Sequence, residues 1–289
     1  MKLQDKIETI VKTEEIQSVS IDLAESVIDL VIDDEVLKGF PIIGPIVGLT
    51  KGIFTIKDRL LTKKLIHLLT ELKSIPLEQR NEQIDKINNS QKYESSIGEK
   101  LLFVIDKAED SKTSSIIGKL LKLCLLEKIS YNTFISCSQI INSTNVDLIK
   151  AKCINNLLGR VEKNKTSETN LPQYLFELSS LNAFQLLILK WAVIRESETH
   201  ENLKFRTFYE FLMENSEIEQ SEEVIMFKTN LFQLGFKNIL DPNVGLNSIP
   251  DFPTKISTTE YTYQLFNVFE LAEIVGVDIE IVDKLLRRK

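Results

Sequence analysis

The sequence predicts a mainly α protein, with a helical N-terminal domain built around an apolar Gly/Pro-rich segment and a C-terminal winged-helix-like α+β domain. Three observations lead there. Apolar residues recur at helical spacing up to about residue 166. Residues 36–56, VLKGFPIIGPIVGLTKGIFTI, hold four of the ten glycines and two of the seven prolines. Beyond residue 171 three helical patterns give way to turn-rich sequence and a strand-like alternation.

A chain of 289 residues is long enough for two domains and a sizeable core. With 43% hydrophobic and 27% charged residues it belongs with ordered chains. Composition shifts divide it into an acidic arm with amphipathic helices around the apolar segment (1–75), a basic helical region (76–165) and the winged-helix-like part (166–289).

Taken in order, residues 21–37 place Leu23, Val27, Leu30, Val31 and Leu37 on one broad helical face, with Asp29, Asp33 and Asp34 elsewhere. Residues 58–75 repeat the pattern through Leu61, Leu65, Leu68, Leu69 and Leu72, and Pro76 starts a new helix. Helix, apolar element, helix is an arrangement that can form a hairpin. Four amphipathic helices follow, IGEKLLFVIDKAE, SSIIGKLLKLCLLE, SYNTFISCSQII and VDLIKAKCINNLL, with Ser130 and Asn145 as candidate N-caps. The polar VEKNKTSETN at 161–170, ahead of Pro172, marks the domain boundary.

Helices are then expected over 181–195, 205–215 and 221–234, the last closing on Gly235. TTEYTYQLF, with Tyr261, Tyr263 and Leu265 alternating, reads as a strand, followed by a helix over 267–275. Three helices and then a strand pair is the order of a winged helix. Its third helix opens with Glu217, Glu219, Glu222 and Glu223 and offers only Lys228 in return, so it repels the phosphates of duplex DNA. Self-assembly or contact with the first domain is the expected use. Phe205, Phe208, Tyr209, Phe211, Phe227 and Phe232 fall at helical spacings and read as core.

Gly44, Gly48 and Gly52 stand four apart, which on a helix forms one bare stripe where another helix can approach. From Phe40 to Ile56 the only charge is Lys51, and the length lies at the low end of the roughly 17–25 residues that cross a bilayer. Pro41 and Pro45 each remove a backbone donor, which a first helical turn or a membrane segment with suitable neighbours tolerates. Two readings stay open: a buried hairpin in a helical core, and a segment stored in protein that later enters a membrane.

Charge is segregated around this segment. Residues 1–35 hold three lysines against ten acids, and residues 36–75 seven basic residues against two acids. The acidic arm is expected to shield the segment at rest, with Lys57, Arg59, Lys63 and Lys64 meeting anionic headgroups after insertion. Two solvated helix faces would give the same pattern. A net charge of −7 argues against a general nucleic-acid binder, but residues 97–166 carry eleven basic residues against seven acids. Lys112, Lys119, Lys122, Lys150 and Lys152 are the candidate polyanion contacts there.

No catalytic constellation is visible. The two histidines are His67, beside apolar Ile66 and Leu68, and His200, in the polar RESETHEN. No HExxH, GxSxG, GxGxxG or P-loop occurs. Cys124, Cys137 and Cys153 lack CxxC spacing and read as reduced core residues. ISYNTF lacks the acidic loop of a calcium site, and the adjacent acids Glu14/Glu15, Asp33/Asp34 and Glu222/Glu223 point to different azimuths of a helix. No enzyme activity, cofactor or metal is expected. MKLQDKIETIVK contains no secretory h-region, so a cytoplasmic resting location is expected.

The phrases GFPIIGPIVGL (39–49), KDRLLTKKLIHLLTELKSIP (57–76) and IGEKLLFVIDKAED (97–110) resemble a group of poorly characterised bacterial anti-phage defence proteins. Over residues 20–160 the layout is similar to the membrane-acting effector of Hailong-type systems. That resemblance implies a homo-oligomeric channel or pore held at rest by a short single-stranded DNA oligomer from a partner nucleotidyltransferase. It also implies abortive infection by depolarisation of the inner membrane once the restraint is lifted. The alternative is a soluble winged-helix adaptor or regulatory module whose apolar segment is a dimer core.

Overall fold

The computed structural model describes residues 3–18, 20–22, 56–90, 96–182 and 255–273, together with 185–186, 188–190, 193, 203–204, 230, 233–234 and 240–243. Of the apolar segment only Ile56 is among them, so Pro41, Gly44, Pro45, Gly48 and Gly52 lie outside the described residues. The described chain is mainly helical. It divides into two compact units, one of residues 1–146 and 158–179 and the other of residues 147–157 and 180–289.

In the first unit the helices are α1 (Leu3–Val11), α2 (Ile56–Thr70), α3 (Leu77–Asn88), α4 (Ile97–Lys107), α5 (Ser111–Leu125), α6 (Tyr131–Asn142) and α8 (Leu171–Ser180). Helix α7 (Leu148–Glu162) starts in the second unit and ends in the first. Their starts follow from capping chemistry, in which a side-chain oxygen takes an orphan N–H of the first turn. Ser96 accepts from Glu99 N, Asp110 from Thr113 N at 2.7 Å, and Ser130 from Thr133 N at 3.2 Å. Pro76 precedes α3 as expected. Asn145 does not cap α7: the helix starts two residues later than that cap implies, and Asp147 accepts from Lys150 N at 2.8 Å. Asp147 lies next to the first helical residue, Leu148, so its Oδ1 takes the N–H three residues on, in the first turn.

Two helix ends in the first unit carry a residue in the left-handed conformation. At the end of α5, Glu127 N donates to Cys124 O (3.0 Å) and Lys128 N to Leu123 O (2.9 Å), the paired bonds of a Schellman motif with Glu127 at φ 56°. After α7 the same bonds run from Asn164 N to Val161 O and Lys165 N to Arg160 O, with Asn164 at φ 57°. Asparagine tolerates this left-handed conformation, whereas glutamate adopts it at a cost of about 1 kcal/mol relative to glycine.

The core of this unit is aliphatic. On α2 Leu65, Ile66, Leu68 and Leu69 are buried, Leu72 follows them, and Ile116, Ile117, Leu120 and Leu121 are buried on α5. Each such side chain contributes about 1.5–3 kcal/mol relative to exposure. Helices α2 and α5 pack together with little between their backbones. A Cβ on Gly118 of α5 would lie 2.6 Å from Leu68 O and 3.0 Å from Leu68 Cα. Gly98 does the same for α4, where a Cβ would overlap Gln4 O of α1.

In the second unit the described residues hold a small antiparallel sheet of β1 (Leu203–Lys204), β2 (Leu240–Asn243) and β3 (Lys255–Thr258) in the order β1-β3-β2, with Leu203 opposite Ile256 and Leu240 opposite Thr258. Residues 185–186, 188–190 and 193, within the helix expected over 181–195, are helical. The strand expected at TTEYTYQLF is instead helix α9 (Glu260–Val268). A capping box decides it: Thr259 and Thr262 each take the other's backbone N–H, and Thr262, Leu265 and Val268 then share the buried side at i, i+3, i+6. The tyrosine alternation is incidental to that face. The helix expected over 205–215 lies outside the described residues.

Gly118→Ala should lower unfolding stability by about 1–3 kcal/mol, because α2 must back away along its length. Gly159→Ala, on α7 where nothing lies within 4 Å of the added Cβ, should raise stability by up to about 1 kcal/mol. Urea unfolding of the two variants beside the parent chain measures both.

Candidate functional site

Two places in the first unit bring functional chemistry together: the outer face of α2 and a cavity at the α5–α6 junction. On α2 the core residues occupy one side, and Ile56, Leu60, Lys63, Lys64 and His67 follow one another at i, i+4, i+7, i+8 and i+11 on another. Ile56 is 77% exposed and Leu60 47%, while Lys63, Lys64 and His67 are half-buried. Of the two remaining membrane-surface candidates, Lys57 is exposed and Arg59 half-buried. The helix thus carries aliphatic and cationic groups on one stripe, next to the apolar segment in sequence. Among the described residues no helix is long and apolar enough to cross a membrane.

The five candidate polyanion contacts are divided between the two units. Lys112, Lys119 and Lys122 belong to the first unit, Lys150 and Lys152 to the second. Lys112 Nζ donates to Val146 O at 3.1 Å and lies 3.9 Å from Asp110, closing the loop before α7. Lys122 pairs with Glu162 at 2.9 Å. Lys150 is buried, and Lys119 and Lys152 are half-buried. Lysines placed for their charge therefore also serve as stems and ties, which a count of basic residues cannot separate.

The cavity measures about 510 Å³, and Gln83, Lys86, Cys124, Glu127, Tyr131 and Glu168 are among the residues lining it. Three elements set its polar groups. Glu127, in its left-handed backbone position, accepts from Gln83 Nε2 at 2.7 Å and Lys86 Nζ at 3.3 Å. Lys86 also reaches Glu82 at 2.9 Å. Glu168, from the 3-10 turn before α8, accepts from Ser130 N at 2.5 Å and so places a carboxylate at the N-terminus of α6, where the helix dipole favours negative charge. The hydrogen bond from Gln83 and then the ammonium of Lys86 hold the Glu127 carboxyl below its ordinary pKa.

These groups can bind a polar molecule by hydrogen bonding, but they contain no nucleophile activated by a base. The Cys124 thiol is buried and pushed up to about 12 by desolvation, with the Glu168 charge adding to it. Burial does the same at Cys137 and Cys153, also to about 12. All three are inert core thiols, in line with their apolar sequence setting. Among the described residues no group of three or more histidine, cysteine or carboxylate side chains is placed to hold a metal. His200 lies outside them. The sequence gives no hint of Glu127 because the signal would be a glycine after a helix, and here a glutamate occupies that position.

The three thiols should resist Ellman's reagent at pH 8 in the folded chain and all react in urea. Because the Glu127 carboxylate is favoured when folded, its bonds to Gln83 and Lys86 are complete above the ordinary carboxylate range and are lost as the pH falls through its depressed value. A carboxyl NMR titration should find that low value, and Gln83→Leu should raise it. No protein-family model matches the chain, and no curated protein and no solved structure shows significant similarity to it.

Proposed function

We propose that this protein is a bacterial anti-phage defence effector that multimerises and, on release from a restraining ligand, inserts residues 36–56 and depolarises the inner membrane. It acts without catalysis of its own, resting in the cytoplasm and moving to the membrane when activated. The observation that carries this reading is the stripe on α2, where exposed Ile56 and Leu60 share a line with Lys64 at the end of an apolar run, residues 40–56, whose only charge is Lys51. Aliphatic and lysine side chains on one line suit the boundary between acyl chains and anionic headgroups. Gly44, Gly48 and Gly52 let neighbouring segments pack, and Pro41 and Pro45 shape the entry.

The restraint implied by the resemblance to Hailong-type effectors is a single-stranded DNA oligomer made by a partner nucleotidyltransferase. Lys112, Lys119, Lys122, Lys150 and Lys152 are then the contacts to test by substitution. The C-terminal part serves as a winged-helix-like assembly module. Its short antiparallel sheet followed by the capped helix α9 is compatible with that role.

Bacteria expressing the intact chain should lose membrane potential, read with a voltage-sensitive dye, and a chain lacking residues 39–53 should leave it unchanged. Gly48→Leu should abolish toxicity while the chain stays folded. A chain that remains cytosolic through phage challenge, with the potential unchanged, would overturn the membrane reading in favour of a soluble adaptor. Binding of short single-stranded oligonucleotides should weaken as salt rises, as phosphate-driven association must; no binding at low salt would discard the nucleic-acid restraint.

A further inference from the structure

Helix α1 and the 3-10 turn Glu14–Ser18 lie on the first unit by two kinds of contact. Ile7, Ile10, Val11 and Ile16 are buried to 2% exposure or less. Around them runs a polar clasp: Lys12 Nζ to Asp85 at 2.6 Å and Glu8 at 3.3 Å, Asn88 Nδ2 to Glu8 at 2.7 Å, and Gln17 Nε2 to Lys73 O at 3.1 Å. Burial works against the Lys12 charge, but the hydrogen bonds to Asp85 and Glu8 outweigh it and raise its pKa. Lys12 is a satisfied cation.

Arg80 is the opposite case. It sits on α3 with 0% exposure and is the largest fully buried side chain among the described residues. Its Nη2 donates to Thr13 O at 3.1 Å, just past the end of α1, while Nε and Nη1 are sealed from solvent with no hydrogen-bond partner. No carboxylate pairs with it in the described residues. Desolvation accordingly pulls its pKa down. A buried guanidinium that spends one donor on a neutral carbonyl recovers little of what it loses on leaving water.

We infer that Arg80 makes the docking of α1 spring-loaded: the apolar contacts and the clasp hold residues 3–18 down over a buried, uncompensated cation, which regains water when they lift. The Thr13 carbonyl is the point where docking and penalty meet, because the segment that supplies Arg80 with its one acceptor is the segment whose release frees it. The device lowers the cost of opening this end of the chain below the cost of unfolding the rest. It stands on the geometry of Arg80 and does not depend on the membrane reading.

Hydrogen exchange on the full chain tests it, comparing the amides of residues 7–11 with those of residues 120–124 in α5. In the parent, residues 7–11 should exchange through an opening that leaves residues 120–124 protected. Arg80→Met keeps the length of the side chain and removes the charge, so it should slow exchange at residues 7–11 by about tenfold or more with the chain still folded. Arg80→Lys buries a more strongly hydrated cation and should speed it. Lys12→Met loosens the clasp and should also speed it. Exchange at residues 7–11 in Arg80→Met that is unchanged or faster, or a lower melting temperature for that variant, would show that Arg80 is a clamp and overturn the inference.

Discussion

The backbone-to-backbone approach of α5 to α2 at Gly118 is the constraint on which the rest of the first unit depends. With a hydrogen where other residues carry a Cβ, Leu68 O comes to within what would be 2.6 Å of that Cβ, and the aliphatic rows of both helices meet at core density. The same crossing carries a polar tie, from Ser115 Oγ to Glu71 at 2.5 Å, that sets the two helices in register. Helices α3, α4 and α6 then pack around this pair. Helix α1 reaches α4 by a second glycine approach, at Gly98. Among the described residues, two glycines at helix crossings thus set the packing.

Polar residues in this unit work mostly at edges and ends. Ser96, Asp110 and Ser130 start helices, and Glu168 adds a carboxylate to the start of α6. Glu127 is the exception, since its backbone is strained while its carboxylate gathers Gln83 and Lys86 from α3. Strain of this kind persists where surrounding bonds over-determine it, and here it lies on the wall of the cavity. Arg80 and Glu127, both contacting or carried by the α3 neighbourhood, make that helix the place where stability is traded away: one holds an uncompensated charge, the other ties down an unfavourable turn.

Helix α2 links this scaffold to the proposed activity. Its inner side is locked against α5, and its outer stripe presents Ile56 and Leu60 beside lysines at the end nearest the apolar segment. Under the proposed function, a firmly packed helix suits the role of anchor for a segment that enters the membrane. At the other end of the described N-terminal stretch, α1 is held by contacts that Arg80 partly offsets. On the proposed reading, one flank is held by packing and the other opens.

Much of the helical layout was legible in the sequence because amphipathic spacing and caps are local signals. The four helices from α4 to α7, the start of α3 after Pro76 and the burial of the three cysteines all follow from neighbours within a turn or two. The exceptions are also local contests: Asp147 displaced Asn145 as a cap, and the Thr259–Thr262 capping box turned an apparent strand into α9. What only the tertiary structure decided involves residues far apart in the chain. A glycine stripe in sequence does not reveal that Gly98 and Gly118 are the close approaches, nor does a lysine count reveal that Lys122 is spent on Glu162. Arg80 looks like a surface residue in LEQRNEQIDKIN, yet it is fully buried and its guanidinium reaches the Thr13 carbonyl, 67 residues earlier. Sequence by itself determined where helices form and which faces are apolar; packing determined which charges lose their water, because desolvation depends on what covers a group rather than on what precedes it.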